Sequence, residues 1–168
     1  MGLRDVAYSL YERRLLAGLD PERIPRHVGV ILDGNRRWAS MQGTSATTGH
    51  RVGAEKIAEF LRWCDDVNVE VVTLWLLSTD NLSRPKDELD QLLAIITETV
   101  EALAATMAWH VHPVGALDLL PVETANTLKE ADAATRDIDG MTVNVAVGYG
   151  GRREVVDAVR SLLAEHAE

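Results

Sequence analysis

Apolar residues follow two patterns along this chain: short continuous runs, and longer runs with a helical period. The short runs predict strands at 27–32, 70–77, 109–114 and 142–147. Near-continuous apolar runs of this length are typical of buried strands in a parallel sheet. The helical period predicts helices over 50–67, 86–106, 121–137 and a last helix after Gly151. Because strands alternate with helices, we predict an α/β fold with a mostly parallel β-sheet flanked by helices.

Three further segments carry weaker patterns. Residues 3–17 predict an amphipathic helix with Leu3, Val6, Ala7, Leu10 and Leu15 on its apolar side. That side can pack on the domain, which we favour, or lie on a membrane surface or on an apolar substrate. Residues 39–49 are small and polar without an apolar period, which predicts a mobile loop or lid. In the last helix, the residues expected to point inward are Val155, Val156, Val159, Leu162 and Leu163.

Composition limits the class of protein. The chain has 168 residues, of which 46% are apolar, so we expect one domain over 1–168 with a helix at 1–18 and a core at 26–160. A net charge of −9 argues against a broad nucleic-acid surface, which needs excess positive charge. Cys64 is the only cysteine, which excludes an intrachain disulfide and a zinc site built on several cysteines. Its helical context predicts a core position. No signal-peptide pattern and no apolar run of about 20 residues occurs, so we expect a cytoplasmic protein.

Polar loops follow three of the predicted strands, at 33–37, 78–84 and 148–153. In a parallel sheet the carboxyl ends of the strands lie at one edge, where open α/β sheets bind their ligands. Arg36 and Arg37 suit a phosphate group, and Asp33 suits a hard cation such as Mg²⁺. Six arginines lie near strand ends or helix starts and would form a cationic pocket if they converge: Arg36, Arg37, Arg51, Arg84, Arg152 and Arg153.

Each of these loops also has a purely structural interpretation. The segment after the first strand can be a polar turn, and Ser78 and Asn81 can be turn and capping residues. His50 can be a surface or capping histidine, and Tyr149–Arg152 can be a tight turn. Taken together, the loops predict a site for a phosphate-bearing ligand with Mg²⁺, but they do not name a reaction.

Four stretches in this order carry a resemblance to a known family: HVGVILDGNRRWA, GHRVGAEKI, LSTDNLSRP and NVAVGYGGRREVVDAV. Together they resemble the cis-prenyltransferases, the undecaprenyl diphosphate synthase family, over about Arg26 to Val159. Arg36, and Leu82 where long-chain members usually carry an aromatic residue, look more like the short-chain Z-farnesyl diphosphate synthase branch of actinobacteria.

The resemblance implies a reaction and a set of site residues. The family condenses isopentenyl diphosphate with an allylic diphosphate, such as geranyl or farnesyl diphosphate, to a cis-polyprenyl diphosphate. It implies Mg²⁺ as cofactor held by Asp33, catalytic roles for Asp33 and Asn81, and a homodimer, with peripheral membrane contact left open. The substrate-binding residues that it implies are Gly34, Asn35, Arg36, Arg37, Trp38, His50, Ser78, Thr79, Asp80, Leu82 and Arg84.

The sequence departs from the family pattern at its C-terminal end. The Arg-Thr-x-Gly-Glu and Arg-x-Ser motifs, which the family uses to bind isopentenyl diphosphate, are not found before Glu168. Smaller departures are Ala46, Asp80 and Gly115–Ala116. We therefore expect a member truncated at the C-terminal end and weakly active or inactive alone. The alternatives are a non-catalytic diphosphate-binding remnant or partner subunit, and an unrelated phosphohydrolase that uses Asp33 as nucleophile.

Overall fold

A computed structural model describes residues 3–166, with the side chains of residue 8 and of residues 10–166. Four strands form one parallel sheet: β1 (His27–Ile31), β2 (Val71–Ser78), β3 (His110–Val114) and β4 (Thr142–Tyr149). Their spatial order is β1-β2-β4-β3. The predicted α/β fold with a parallel sheet is confirmed, and each of the four predicted strands is present.

Seven helices accompany the sheet in the described part of the chain. They are α1 (Leu3–Ala17), α2 (Asn35–Met41), α3 (Ala46–Glu55), α4 (Ile57–Asp66), α5 (Lys86–Ala105), α6 (Val122–Thr135) and α7 (Gly151–Glu165). Short 3-10 turns occupy Pro21–Arg23, Asp80–Ser83 and Leu117–Leu119. No helix among the described residues is long and apolar enough to cross a membrane.

The core lies between one face of the sheet and the helices α4, α5 and α6. Alternate residues of the central strands, such as Val72 and Val143, are fully buried and cluster with Leu61, Val100 and Leu128 of the three helices. This alternation follows from strand geometry, which points successive side chains to opposite faces. Cys64 belongs to the same cluster, as predicted, and burial raises the pKa of its thiol.

The predicted loop at 39–49 is wrong. α2 continues to Met41, and α3 begins at Ala46, four residues before the predicted start at His50. The side chain of Ser45 caps α3 by accepting a hydrogen bond from the backbone amide of Thr48, which is a favoured way to begin a helix. The small residues that suggested a loop serve close helix packing instead, because Ala39 is buried between α2 and α3.

The predicted inward face of α7 is also wrong. Val155, Val156, Val159, Leu162 and Leu163 are each between 47% and 65% exposed. On α1, Leu10 and Leu15 are exposed as well, so their predicted packing on the domain is not observed. Leu3, Val6 and Ala7 lie outside the described side chains. An apolar stripe predicts that a helix has a partner surface, but it does not say that this chain supplies the partner.

The apolar sequence of β1 predicts a buried strand, but β1 lies at an edge of the sheet. It pairs with β2 alone, and Ile31 is 67% exposed. A glycine at position 29 and exposed side chains at both ends of β1 fit an edge strand that is only half covered. The loop that follows β1 therefore lies at the rim of the sheet.

The pairing of β2 with β4 contains two irregularities that cancel. Trp75 pairs with Ala146 and Leu77 with Val147, so β2 has one extra residue, Leu76. Ser78 then pairs with Tyr149, so β4 has one extra residue, Gly148, which adopts a φ of 66°. A single extra residue exchanges the two faces of a strand beyond it. Accordingly the buried positions of β2 change from the even-numbered Leu74 to the odd-numbered Leu77.

Candidate active site

A cavity of about 640 Å³ opens at the carboxyl ends of β1 and β2. Its polar lining comes from the loops after these strands, from the start of α2 and from α3, and its apolar lining comes mostly from α3, α4 and α5. The polar residues are Asp33, Asn35, Arg36, Arg37, His50, Ser78, Asn81 and Arg84. The apolar residues include Ala54, Ile57, Leu76, Leu92, Ile95 and Ile96. Two loops distant in sequence thus contribute to one site, as the parallel topology predicts.

The loop after β1 turns sharply at Gly34 and leads directly into α2. Gly34 has a φ of 89°, a left-handed conformation that favours glycine. The backbone amide of Gly34 donates a 2.5 Å hydrogen bond to Oδ1 of Asp33, which orients that carboxylate. Asn35 Nδ2 donates to the carbonyl of Leu32 at 3.3 Å, so its amide group ties α2 back to the end of the strand.

The loop after β2 forms a compact hydrogen-bonded turn. The backbone amide of Asn81 donates to Ser78 Oγ at 3.2 Å, and Arg84 Nη2 donates to Asn81 Oδ1 at 3.1 Å. The capping and turn roles that the sequence allowed for Ser78 and Asn81 are therefore present. Both residues also line the cavity, so the structural role and a ligand-binding role are compatible.

Glu88, on the first turn of α5, links the two loops. Its Oε1 atom lies 3.2 Å from Arg84 Nη1 and 3.8 Å from Arg36 Nη1. One carboxylate thus holds guanidinium groups from two sides of the cavity. Sequence reasoning did not identify Glu88, because an acidic residue at the start of a helix is expected for reasons of helix stability alone.

His50 contributes a half-buried imidazole to the cavity. Its Nε2 atom is inaccessible to solvent and has no hydrogen-bond partner among the described residues. Burial lowers the pKa of His50, and the charges of Arg84 and Arg36 lower it further, while Glu88 opposes them. The ring is therefore neutral at pH 7, and its Nε2 atom makes no hydrogen bond to the described residues.

Two glycines of α3 hold that helix close to Asn35. A Cβ atom at Gly53 would lie 2.5 Å from Asn35 Oδ1, and one at Gly49 would lie 2.9 Å from the Cβ of Ala39 and closer still to the Asn35 carbonyl oxygen. Sequence reasoning missed both positioning residues. The signal was present in the spacing Gly49-x-x-x-Gly53, which puts both glycines on one face of a helix.

Several predicted residues do not line the cavity. Trp38 is 42% exposed on α2, Asp80 is exposed, and Leu82 packs against the core. The backbone amide of Thr79 donates to the Tyr149 carbonyl at 3.0 Å. The substrate-binding roles of these four residues, Trp38, Thr79, Asp80 and Leu82, stay predictions.

The loop after β4 lies at the same edge of the sheet but faces a second cavity, of about 520 Å³. Arg153 pairs there with Asp118 and Asp157. The loop after β4 contacts the first cavity indirectly: Tyr149 makes an edge-to-face contact with Trp75, and Trp75 lines that cavity. Of the six arginines that could have converged, Arg36, Arg37 and Arg84 line the first cavity, whereas Arg51 pairs with Glu98.

Comparisons with known proteins agree with this arrangement. Residues 31–168 match the family model "Putative undecaprenyl diphosphate synthase". The chain is 61% identical over 166 residues to (2Z,6E)-farnesyl diphosphate synthase of Thermobifida fusca and 54% identical over 166 residues to isoprenyl transferase 1 of Streptomyces avermitilis. These alignments cover 98% and 99% of this chain and 65% of each relative. The chain therefore spans slightly less than two-thirds of the length of these curated relatives.

A solved structure is similar over most of the chain. The lavandulyl diphosphate synthase of Lavandula x intermedia, solved in complex with dimethylallyl diphosphate, superimposes with a TM-score of 0.83 at 28% identity. The match covers 87% of this chain and 65% of that structure. The resemblance predicted from the four sequence motifs is confirmed: the chain belongs to the cis-prenyltransferase family of undecaprenyl diphosphate synthases.

Proposed function

We propose that this chain binds an allylic diphosphate in the first cavity and serves prenyl transfer, the condensation of geranyl or farnesyl diphosphate with isopentenyl diphosphate to a cis-polyprenyl diphosphate. The observation that carries the proposal is the division of one cavity into a cationic part and an apolar part. The cationic part is formed by Arg36, Arg37 and Arg84, and much of the apolar part is formed by α5. An allylic diphosphate has the same division, with an anionic head and a hydrocarbon tail. The names of the relatives favour this catalytic proposal over a non-catalytic remnant.

The arginines bind and orient the diphosphate. Before the ligand binds, Glu88 neutralises part of their charge and holds Arg36 and Arg84 in place. A diphosphate carries more negative charge than one carboxylate and can accept bidentate hydrogen bonds from guanidinium groups. We propose that it takes over these contacts. His50 Nε2 then gains the hydrogen-bond partner that it lacks among the described residues.

The residues present fit Mg²⁺, the cofactor that we propose. Asp33 offers a carboxylate at the end of β1, oriented by the Gly34 amide and exposed toward the cavity. Mg²⁺ sites in phosphate-handling enzymes usually combine one or two carboxylates with phosphate oxygens and water. When bound, the ion neutralises charge that gathers on the leaving diphosphate.

The reaction that we propose transfers an allylic group. The bond between the allylic carbon and diphosphate oxygen breaks, and its electron pair leaves with the diphosphate. The double bond of isopentenyl diphosphate attacks the allylic carbon and a carbon–carbon bond forms. The released diphosphate accepts the proton whose loss gives the new double bond. Arg36 and Arg84 stabilise the leaving group, and the apolar wall keeps water from the cation. Asn81, held by Arg84, positions the reacting groups, because an amide is a poor base.

Two measurements test the proposal. The first is the affinity of the purified chain for geranyl diphosphate, by calorimetry, for the wild type and for Arg84→Gln and Asp33→Asn. We expect Arg84→Gln to weaken binding roughly tenfold or more, since a hydrogen bond to a charged group contributes about 1.5–3 kcal/mol. Asp33→Asn should abolish the strengthening of binding by Mg²⁺. Arg26→Gln, an exposed arginine paired with Glu70 near the other end of β1, is the matched control. Equal affinity for all four chains would refute the site.

The second measurement is incorporation of labelled isopentenyl diphosphate, with Mg²⁺ and with excess chelator. Magnesium-dependent incorporation would support the whole reaction. Binding without incorporation would limit the described residues to the allylic diphosphate and would require a longer chain or a partner for turnover.

We further propose that the protein forms a homodimer and works in the cytoplasm, with peripheral membrane contact through its apolar products. The exposed apolar residues of α1 and α7 support an association surface. Light scattering on the purified chain, with and without anionic vesicles, tests the homodimer and the membrane contact.

A further inference from the structure

Two histidines and one aspartate form a cluster at the edge of the sheet farthest from β1. His110 and His112 lie two residues apart on β3, so their side chains share one face of the strand, and Asp132 projects from α6. Asp132 Oδ1 lies 3.2 Å from His110 Nε2 and 2.8 Å from His112 Nδ1. One ligand atom from each of the three residues lies within 4.8 Å of those of the other two.

The position of the cluster separates it from the proposed active site. β3 is the edge strand opposite β1, and His110 pairs with Thr142 at the beginning of β4. The cavity opens at the other ends of the strands, and none of the three residues lines it. α6 is docked against β3 here, because the backbone amide of Val111 donates to the buried Thr135 Oγ1 at 2.9 Å.

The cluster is partly desolvated and preorganised. The side chain of Asp132 is 15% exposed and that of His110 is 22% exposed, whereas that of His112 is 48% exposed and gives access from solvent. Burial alone would raise the pKa of Asp132, but hydrogen bonds from Arg136, His112 and His110 hold it well below its ordinary value. Arg136 donates to the second oxygen, Oδ2, at 2.8 Å, which fixes the carboxylate plane and leaves Oδ1 toward the imidazoles.

We propose that His110 Nε2, His112 Nδ1 and Asp132 Oδ1 bind a divalent transition-metal ion of the Zn²⁺ class and so join β3 to α6. Two imidazole nitrogens and one carboxylate oxygen form a common ligand set for zinc, with water in the fourth position. Metal–ligand bonds of about 2.0–2.2 Å require small side-chain rotations that replace the hydrogen bonds to Oδ1. Arg136 keeps its contact with Oδ2 and acts as the outer partner that ligating carboxylates usually have. Imidazole ligands discriminate against Mg²⁺, which prefers oxygen.

The test is metal binding by the purified, metal-stripped chain. Titration with Co²⁺, followed by its visible absorption, and equilibrium dialysis with Zn²⁺ should each give one equivalent bound. Mg²⁺ at the same concentration should not compete. We expect His112→Gln and Asp132→Asn each to weaken Zn²⁺ binding at least tenfold. His166→Gln, which replaces an exposed histidine near the end of α7, is the control and should bind as the wild type does.

A second readout separates this site from scattered surface binding. A metal that holds β3 against α6 must stabilise the folded chain, by about 100-fold in the unfolding equilibrium at 100 times its dissociation constant. Urea unfolding with and without Zn²⁺ measures this shift, which should disappear in His112→Gln. Less than one equivalent bound, equal binding by all variants, or no shift in the urea midpoint would each overturn the proposal. Because the cluster lies outside the cavity, none of these results depends on the proposed prenyl transfer.

Discussion

Gly53 provides a test of how the site is built, because adding one methyl group there has a predictable effect. A Cβ atom would lie 2.5 Å from Oδ1 of Asn35 and 3.0 Å from its Cγ and Nδ2 atoms. Ordinary contact begins at 3.4 Å, so the Asn35 amide must retreat by about 0.9 Å. That movement breaks the 3.3 Å hydrogen bond to Leu32 and displaces the side chain from the cavity wall.

The effect of Gly53→Ala on folding should be small. The lost hydrogen bond costs about 0.5–1.5 kcal/mol, while alanine is better than glycine inside a helix by about 0.5–1 kcal/mol. The two contributions nearly cancel. Affinity for geranyl diphosphate should nevertheless fall roughly tenfold, since a misplaced hydrogen bond to a charged ligand is worth about 1.5 kcal/mol. Calorimetry gives the affinity, and urea unfolding gives the free energy of unfolding.

Two other glycines supply matched controls. A Cβ atom at Gly29, on β1, meets no atom within 4 Å, so Gly29→Ala should leave the affinity unchanged and raise the free energy of unfolding by at most about 0.5–1 kcal/mol. A Cβ atom at Gly49 meets the backbone of Asn35, which cannot rotate away, so Gly49→Ala should lose about 1–3 kcal/mol of stability. If Gly53→Ala bound the diphosphate as tightly as Gly29→Ala does, the role that we assign to close α2–α3 packing would be refuted.

Three further predictions concern stability. Since burial and neighbouring arginines lower the pKa of His50 below 6.5, the unfolded chain binds a proton more readily. The free energy of unfolding should therefore fall as the pH drops below about 6.5, and His50→Gln should weaken this dependence in urea melts at pH 5 and 8. Thr135→Val should cost about 1–3 kcal/mol, because it leaves the Val111 amide without its partner; an unchanged urea midpoint would contradict this. Leu61→Ala should cost about 2–5 kcal/mol by the same assay, as Leu61 is fully buried.

Elements with a strong period could be predicted from sequence. The central strands β2 and β4 and the long helix α5 differ from their predicted bounds by two residues or fewer. Their apolar residues are buried within this chain, so the pattern and the packing agree. The convergence of Asp33, Arg36 and Arg84 on one cavity was also predictable, because parallel topology brings the ends of β1 and β2 together.

The errors share a different cause, which is that some contacts leave little trace in hydrophobic pattern. Glycine and alanine at 39–49 look like a loop, yet their small size is what allows α2 and α3 to approach. The role of Glu88 depends on Arg36, which is distant in sequence, and on Arg84, which lies in the turn before α5. The apolar stripe of α7 is present, but no described residue covers it. The helical period alone therefore could not tell whether the stripe is buried.

The paired irregularities of β2 and β4 restrict how these strands can vary in length. Deleting Leu76 alone would keep Leu77 in the inward alternation of Val72 and Leu74, but it would leave the extra residue of β4, Gly148, without its counterpart. Deleting Gly148 alone would likewise leave the extra residue of β2 without its counterpart, so the two strands would differ by one residue in length between the Trp75–Ala146 and Ser78–Tyr149 pairs. Losing both residues together would keep the two strands matched. Insertions and deletions here are therefore expected to be inherited as pairs, so that two positions 72 residues apart in this sequence behave as a single unit of length variation.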